Sequence, residues 1–223
     1  MVNAPAVDAD TYFEEDSEDI TPKHGTTVQA GWGAAAALLT KKKDGDYPTD
    51  FKFTEQTQLV RFLEDGPFDV YASHWIEREG KKSFVCLQTP RIGEDCPLCD
   101  IAGDKPRNKF AFNVVVLSDE QGDEPTVQIL TAPPTFARQL MAVHEDPRRG
   151  PLTKFYWAIS RQGSGPQTQY TLDRVKASDL AEEWDLDPEA VETSIQGVEL
   201  YDASTTFVTK REELLPIARA LVS

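Results

Sequence analysis

His74-Trp75-Ile76-Glu77, Lys81-Lys82-Ser83-Phe84-Val85-Cys86 and Glu94-Asp95-Cys96-Pro97-Leu98-Cys99 hold all three cysteines of the 223-residue chain. Cys96 and Cys99 form a tight CxxC knuckle in which two thiolates can face one ion. Nine residues separate Cys86 from the knuckle, and eleven separate His74 from Cys86. Tetrahedral zinc takes four nitrogen or sulfur ligands, and a Cys₃His set closes a structural site. The order of residues is that of a strand, a turn, a returning strand and a loop. Two other readings exist. Free cysteines serve as small buried apolar residues, and a lone CxxC can be a redox pair. A redox pair belongs at a strand-to-helix junction in a βαβ pattern, whereas Asp100-Ile101-Ala102-Gly103-Asp104-Lys105-Pro106 is loop chemistry. The expectation is one structural zinc on His74, Cys86, Cys96 and Cys99, with His24 and His144 as the other histidines available.

Outward from this stretch the pattern is β. Residues 58–64 read as a first strand, broken by Asp65-Gly66-Pro67. Residues 68–77 read as a second, with Tyr71, Ser73 and Trp75 on one face and Ala72, His74 and Ile76 on the other, as alternation requires. Arg78-Glu79-Gly80-Lys81 is a turn and 82–87 a third strand, so a hairpin carries His74 and Cys86. Lys105 to Lys109 is a basic entry to the most apolar strand, 110–117. Residues 118–125 are a polar loop and 126–131 return. Phe136, Leu140 and Val143 share a helical face over 135–145. Arg148-Arg149-Gly150-Pro151 is a basic turn, and 155–160 pairs with 169–172.

Charge divides the chain. The net charge is −15, but residues 40–177 carry twenty acids and nineteen bases, while 1–39 carry seven acids and one base and 178–223 eleven acids and three bases. Residues 1–29 therefore read as an acidic disordered tail. Residues 30–50 read as an arm and linker with a short helix around Trp32 to Leu39, closed by Lys41-Lys42-Lys43. Residues 51–177 read as the core and 178–223 as an acidic helical region, with Asp187-Pro188 opening one helix and 214–222 forming a last one around Pro216. No apolar run approaches the roughly 18 residues that span a bilayer, and the N-terminus lacks a secretory pattern. Three clustered cysteines fit a reducing compartment, so a cytoplasmic place and no membrane partner are expected.

Six or seven strands, one intervening helix and bases beside aromatics point to a mainly β chain: an OB-fold-like barrel with an inserted structural zinc subdomain, short helices and the acidic tail. Such barrels hold oligonucleotides on one sheet face and its loops, using a basic groove and aromatic platforms. The contact set read from the sequence is Tyr71, Trp75, Lys81, Lys82, Arg107, Lys109, Phe110, Arg148, Arg149, Lys154, Tyr156 and Arg161. Phe110, Phe112 and Trp157 also read as core, and Lys81 and Lys82 as a solvated turn. Another class of reading is a zinc knuckle that binds proteins and no nucleic acid. A zinc hydrolase is disfavoured, because four protein ligands leave no position for water.

The spacing His74-x₁₁-Cys86-x₉-Cys96-Pro97-Leu98-Cys99 resembles the zinc site of the single-stranded-DNA-binding, helix-destabilising protein of T-even bacteriophages. Phe51-Lys52-Phe53-Thr54-Glu55, Arg61-Phe62-Leu63, His74-Trp75-Ile76-Glu77, Phe110-Ala111-Phe112-Asn113-Val114 and Gly150-Pro151-Leu152-Thr153-Lys154-Phe155-Tyr156-Trp157 are similar to single-stranded-DNA-binding proteins of actinobacterial phages. The likeness covers roughly residues 30–185. It implies an OB-fold with one zinc, no catalysis, and coating of single-stranded DNA in phage replication, recombination and repair within a bacterial host. It also implies self-association along the strand and recruitment of replication or recombination proteins through acidic ends.

Overall fold

The computed structural model describes residues 48–78, 80–117 and 126–223. The expectations for the acidic tail, the arm up to residue 47 and the loop 118–125 fall outside these residues. The described chain is mainly β. Eight strands form one mixed sheet: β1 (Thr49–Asp50), β2 (Gln58–Phe62), β3 (Asp69–Trp75), β4 (Ser83–Val85), β5 (Arg107–Val116), β6 (Val127–Ala132), β7 (Tyr156–Gln162) and β8 (Gln169–Val175). The helices are short: α1 (Pro97–Asp100), α2 (Pro134–Glu145), α3 (Ala177–Glu183), α4 (Pro188–Ser194) and α5 (Arg211–Ala220).

The sheet path runs β1-β6-β5-β2-β7-β8, and only the β1–β6 pair is parallel. β1 and β2 belong to one segment, 49–62. A path that leaves β1, crosses β6 and β5 and arrives at β2 must therefore curl back on itself. Two backbone bonds mark the curl: Phe51 N–H donates to Ile129 O at 2.9 Å, and Arg161 N–H donates to Thr54 O at 2.8 Å.

β5 is the centre of the arrangement. β6 lies along one edge, while β2 and β3 share the other, with Phe62 opposite Val114 and Asp69 opposite Ala111. Leu63 N–H donates to Asn113 O at 3.1 Å and Phe68 N–H to Ala111 O at 2.9 Å. The break at Asp65-Gly66-Pro67 thus loops out while the ladder resumes beyond it. β4 pairs with the far edge of β3.

Alternation sorts the side chains into three cores. On the inner face Val60, Phe62, Phe112, Val114, Leu130, Trp157 and Ile159 pack against Phe136, Leu140 and Val143 of α2. On the outer face Leu59, Tyr156 and Ala158 meet Leu180 of α3 and Val191 of α4. Around the hairpin, Ile76, Phe84, Cys86, Leu87, Cys96 and Leu98 enclose Leu214 and Ala218 of α5. Burying one such side chain contributes about 1.5–3 kcal/mol, so α3, α4 and α5 are held by the sheet rather than by their own acidic composition. Asn113 ties the remaining C-terminal segment across the outer face. Its Nδ2 donates to Glu64 Oε2 at 2.7 Å and Tyr201 O at 2.9 Å, and its Oδ1 accepts from Tyr201 N–H at 3.0 Å.

Three differences from the sequence expectation bear on the site and its surroundings. β5 begins at Arg107 rather than at Phe110, because Arg107 and Lys109 pair with Ser73 and Tyr71. The CxxC knuckle is a helical turn, α1, in which Asp100 N–H donates to Cys96 O at 2.9 Å. α5 starts at Arg211 and continues through Pro216.

Candidate metal centre and the adjoining sheet face

Local chemistry brings the four ligands to one point. His74 lies on β3 with its ring turned to the hairpin core, and Cys86 follows β4 directly. Cys96 is the N-cap of α1 and Cys99 lies within it, with Pro97 at the first helical position where no N–H is missed. One helical turn between them places both sulfurs on the same side.

All four donor atoms lie within 4.8 Å of one another. Cys86 Sγ is 3.6 Å from Cys99 Sγ, and His74 Nε2 is 3.5 Å from Cys96 Sγ and 3.6 Å from Cys99 Sγ. A tetrahedral ion with metal–sulfur bonds of about 2.3 Å and metal–nitrogen bonds of about 2.0 Å has sulfur–sulfur edges of about 3.8 Å and sulfur–nitrogen edges of about 3.5 Å. The donor set therefore fits one divalent ion such as zinc, with no open position. All three thiols are free of disulfides. Burial pushes the Cys86 and Cys99 thiols up from their ordinary range, and the neighbouring thiols push Cys99 further. A bound divalent cation reverses that preference, since it favours thiolate outright.

Asp104 completes the centre. Its Oδ2 accepts from His74 Nδ1–H at 2.7 Å, which fixes the tautomer so that Nε2 carries its lone pair toward the thiols. Gly103, at φ 65, turns the chain after α1, and Asp104 N–H donates to Leu98 O at 3.0 Å. The sequence reading placed Asp104 in a loop and missed this role. The available signal was an acid five residues beyond Cys99, just after a glycine.

On the reverse side of β3, Asp69 and Ser73 are buried, Tyr71 is half-buried and Trp75 is exposed. Tyr71, Ser73 and Trp75 alternate with His74, and the register sets Lys109 opposite Tyr71 and Arg107 opposite Ser73. Tyr71, Trp75, Arg107 and Lys109 thus share one face. Trp75 is 63 % exposed. Lys109 is half-buried, and both desolvation and the charge of Arg107 lower its pKa from 10.5. Burial raises the Tyr71 pKa, against the side-chain hydrogen bond with Thr131.

The other predicted contact residues divide. Lys82 Nζ is held by Glu77 Oε1 at 2.8 Å. Lys81 Nζ donates to Thr209 Oγ1 at 2.9 Å. Phe110 points to the opposite face from Lys109 and lines an apolar cleft of about 440 Å³ between β3, β5 and α2. Arg148, Arg149 and Lys154 are exposed around the end of α2. They are set by Gly150, where a Cβ would lie 2.0 Å from the His144 carbonyl oxygen. Arg174 joins them: it donates to Arg148 O at 3.3 Å and lies 4.8 Å over the Phe155 ring, with Lys154 5.3 Å from the same ring. The sequence reading did not single out Phe155 or Arg174. Arg161 sits at the end of β7, its Nε buried without a hydrogen-bond partner.

Tyr156 is a correction. It was expected as an exposed platform, yet it is 3 % exposed. Its parity on β7 turns it outward, away from Trp157, but α3 and α4 cover that part of the outer face. Its hydroxyl hydrogen-bonds Glu192, and the Arg61 guanidinium lies 4.8 Å over its ring. Phe112 and Trp157 are core, as their apolar runs indicated.

No family model matches the chain, and no curated protein matches it. Among the described residues, no helix is long and apolar enough to cross a membrane.

Proposed function

We propose that the chain is a non-catalytic single-stranded-DNA-binding protein stabilised by one structural zinc ion. The observation that carries this reading is the common face of Tyr71, Trp75, Arg107 and Lys109, with the metal ligand His74 on the reverse of the same strand. Sequence-independent binders of single strands combine cations for the backbone with aromatic plates for bases, and this face supplies both. The curled sheet supports an OB-fold-like barrel. Zinc suits the Cys₃His donor set, and the closed ligand shell argues against a metal-bound water. In this reading the strand is coated without sequence preference during phage replication, recombination or repair in the bacterial cytoplasm. The acidic ends recruit replication or recombination proteins, and neighbouring copies associate along the strand.

The test is a gel-shift and anisotropy series with single- and double-stranded DNA and RNA over a range of salt. The reading expects preference for single strands and a log–log salt slope near −0.7 per phosphate contact. Absence of single-strand binding at low salt overturns it.

A second reading, a zinc-stabilised protein-interaction module, is favoured by one observation. Val70 and Met141, each 56 % exposed, both line the apolar cleft beside α2. Exposed apolar side chains gathered on one cleft mark interaction surfaces. Salt-insensitive protein capture without DNA binding would favour this module.

A further inference from the structure

Among the described residues, only two aromatic side chains are exposed: Trp75, already placed on the proposed DNA face, and Phe207, 69 % exposed. Phe207 belongs to no core. It lines a groove of about 850 Å³ between the β3–β4 hairpin and α5, together with Ile76, Phe84, Ile217 and Leu221. That size lies in the range of small-molecule pockets, about 300–1,000 Å³. The ring is presented from a fixed segment, because Thr209 is buried and Val208 packs into the hairpin core.

Two cations, Lys81 and Arg78, line the same groove, and the charge of Glu213 acts on Lys81. Lys81 Nζ is 4.2 Å from the Phe207 ring centroid and 5.4 Å from that of Phe84, and the Thr209 hydroxyl holds it there at 2.9 Å. Arg78 lies 6.0 Å over Phe84. Among the described residues neither lies within salt-bridge distance of a carboxylate, whereas nearby Lys82 is held by Glu77. Glu213 is the other acid facing the groove. In a chain of net charge −15, two cations beside an exposed aromatic plate are a specific arrangement. Lys81 stands over the Phe207 ring, which remains largely exposed. The groove offers a planar stacking surface and, within reach of it, positive charge for an anion.

We infer that Phe207 is a second base-stacking platform, with Lys81 and Arg78 as its phosphate contacts, so that the groove between the β3–β4 hairpin and α5 takes a nucleotide of the bound strand. The inference rests on the single-strand reading above and extends it. Trp75 and Phe207 lie on opposite faces of the hairpin, since Trp75 pairs with Ser83 while Ile76 and Phe84 line the groove. The strand then passes over the hairpin turn, where Arg78 and Lys81 stand.

The experiment compares the full chain, loaded with zinc, with Phe207→Ala, Lys81→Met and Trp75→Ala, using a fluorescent oligo-dT over a salt series. Phe207 is exposed, so its truncation should leave the thermal midpoint unchanged. Loss of a stacking aromatic corresponds to a fall of about 5- to 150-fold in affinity, expected for Phe207→Ala. Lys81→Met should flatten the log–log salt slope by about 0.7. A further variant, Phe207→Trp in a Trp75→Phe background, should gain fluorescence that oligo-dT quenches. If wild type and Trp75→Ala differ in affinity but Phe207→Ala matches wild type in affinity and slope, the platform is overturned and the single-strand reading stands. If wild type does not bind oligo-dT, both fall. If a Glu/Tyr copolymer binds in a Phe207-dependent way while oligo-dT does not, the groove belongs to an acidic protein partner and the nucleotide assignment is overturned.

Discussion

His74 Nδ1 donates to Asp104 Oδ2 at 2.7 Å while its Nε2 stands 3.5 Å from Cys96 Sγ. One imidazole thereby joins a carboxylate on its outer side to a thiol cluster on its inner side. The carboxylate selects the tautomer that leaves the Nε2 lone pair free for the metal.

Asp104→Ala should therefore lower metal affinity by about 10- to 100-fold, the usual loss when such a partner is removed. Asp104→Asn, which can still accept at Nδ1–H but carries no charge, should lie between. Competition with a chromophoric chelator measures both. Equal affinities for wild type and Asp104→Ala would reduce the contact to packing.

The ligand set was legible because sulfur and imidazole have few other uses in a chain with three cysteines. Alternation placed His74 on one side of β3 and Trp75 on the other, and β3 keeps that parity. Asp104 was harder to read, since its one mark, an acid five residues beyond Cys99 and just after a glycine, gains meaning only once the tautomer of His74 matters. Tyr156 failed for a different reason. Parity showed it leaving the inner core, but only α3 and α4, more than twenty residues later, decide whether the outer face is covered. Phe207 escaped because its surroundings come from residues distant in the chain, the hairpin turn and α5.

Trp75 and Tyr156 should separate binding from stability. Trp75→Ala removes an exposed ring, so affinity for oligo-dT should fall by about 1–3 kcal/mol with little change in thermal midpoint. Tyr156→Phe removes the hydroxyl bonded to Glu192. It should cost about 1 kcal/mol of folding stability and leave affinity intact. Denaturant melts alongside anisotropy distinguish the two, and a loss of binding in Tyr156→Phe would restore that residue to the interface.

Lys109 gives a pH signature. Desolvation and Arg107 lower its pKa below the ordinary 10.5 in the free protein. A phosphate held against it favours the ammonium form and raises the pKa again. Binding then takes up a proton between the two values, so affinity falls as pH rises through the lowered one, by up to about tenfold per unit for one proton. Oligo-dC is the suitable probe, because thymine itself loses a proton in alkaline solution. Lys109→Arg stays charged throughout and should flatten the profile. An unchanged slope in that variant would place the titrating group elsewhere.

The metal should govern the proposed DNA face without touching it. His74 and Trp75 are consecutive on β3 and point to opposite sides, so the ion anchors the strand whose reverse carries the platform. The same ion would be held by Cys86 and Cys96, which pack in one core with Leu214 and Ala218 of α5. Ligand binding energy at such a site is in part folding energy. Chelation, or Cys96→Ser, should therefore loosen the hairpin core, expose α5 to protease near Arg211 and Arg219, and lower the thermal midpoint. The inner core of Phe62, Phe112 and Trp157 contains no ligand, so circular dichroism should retain the β signal of the remaining sheet. Affinity for oligo-dT should fall together with the protease protection, by about as much as in Trp75→Ala. Restoring zinc to the chelated wild type should recover both, while restoring it to Cys96→Ser should recover neither. If chelation exposes α5 but leaves affinity untouched, Trp75 does not depend on the ion, and the metal centre serves the C-terminal helix alone.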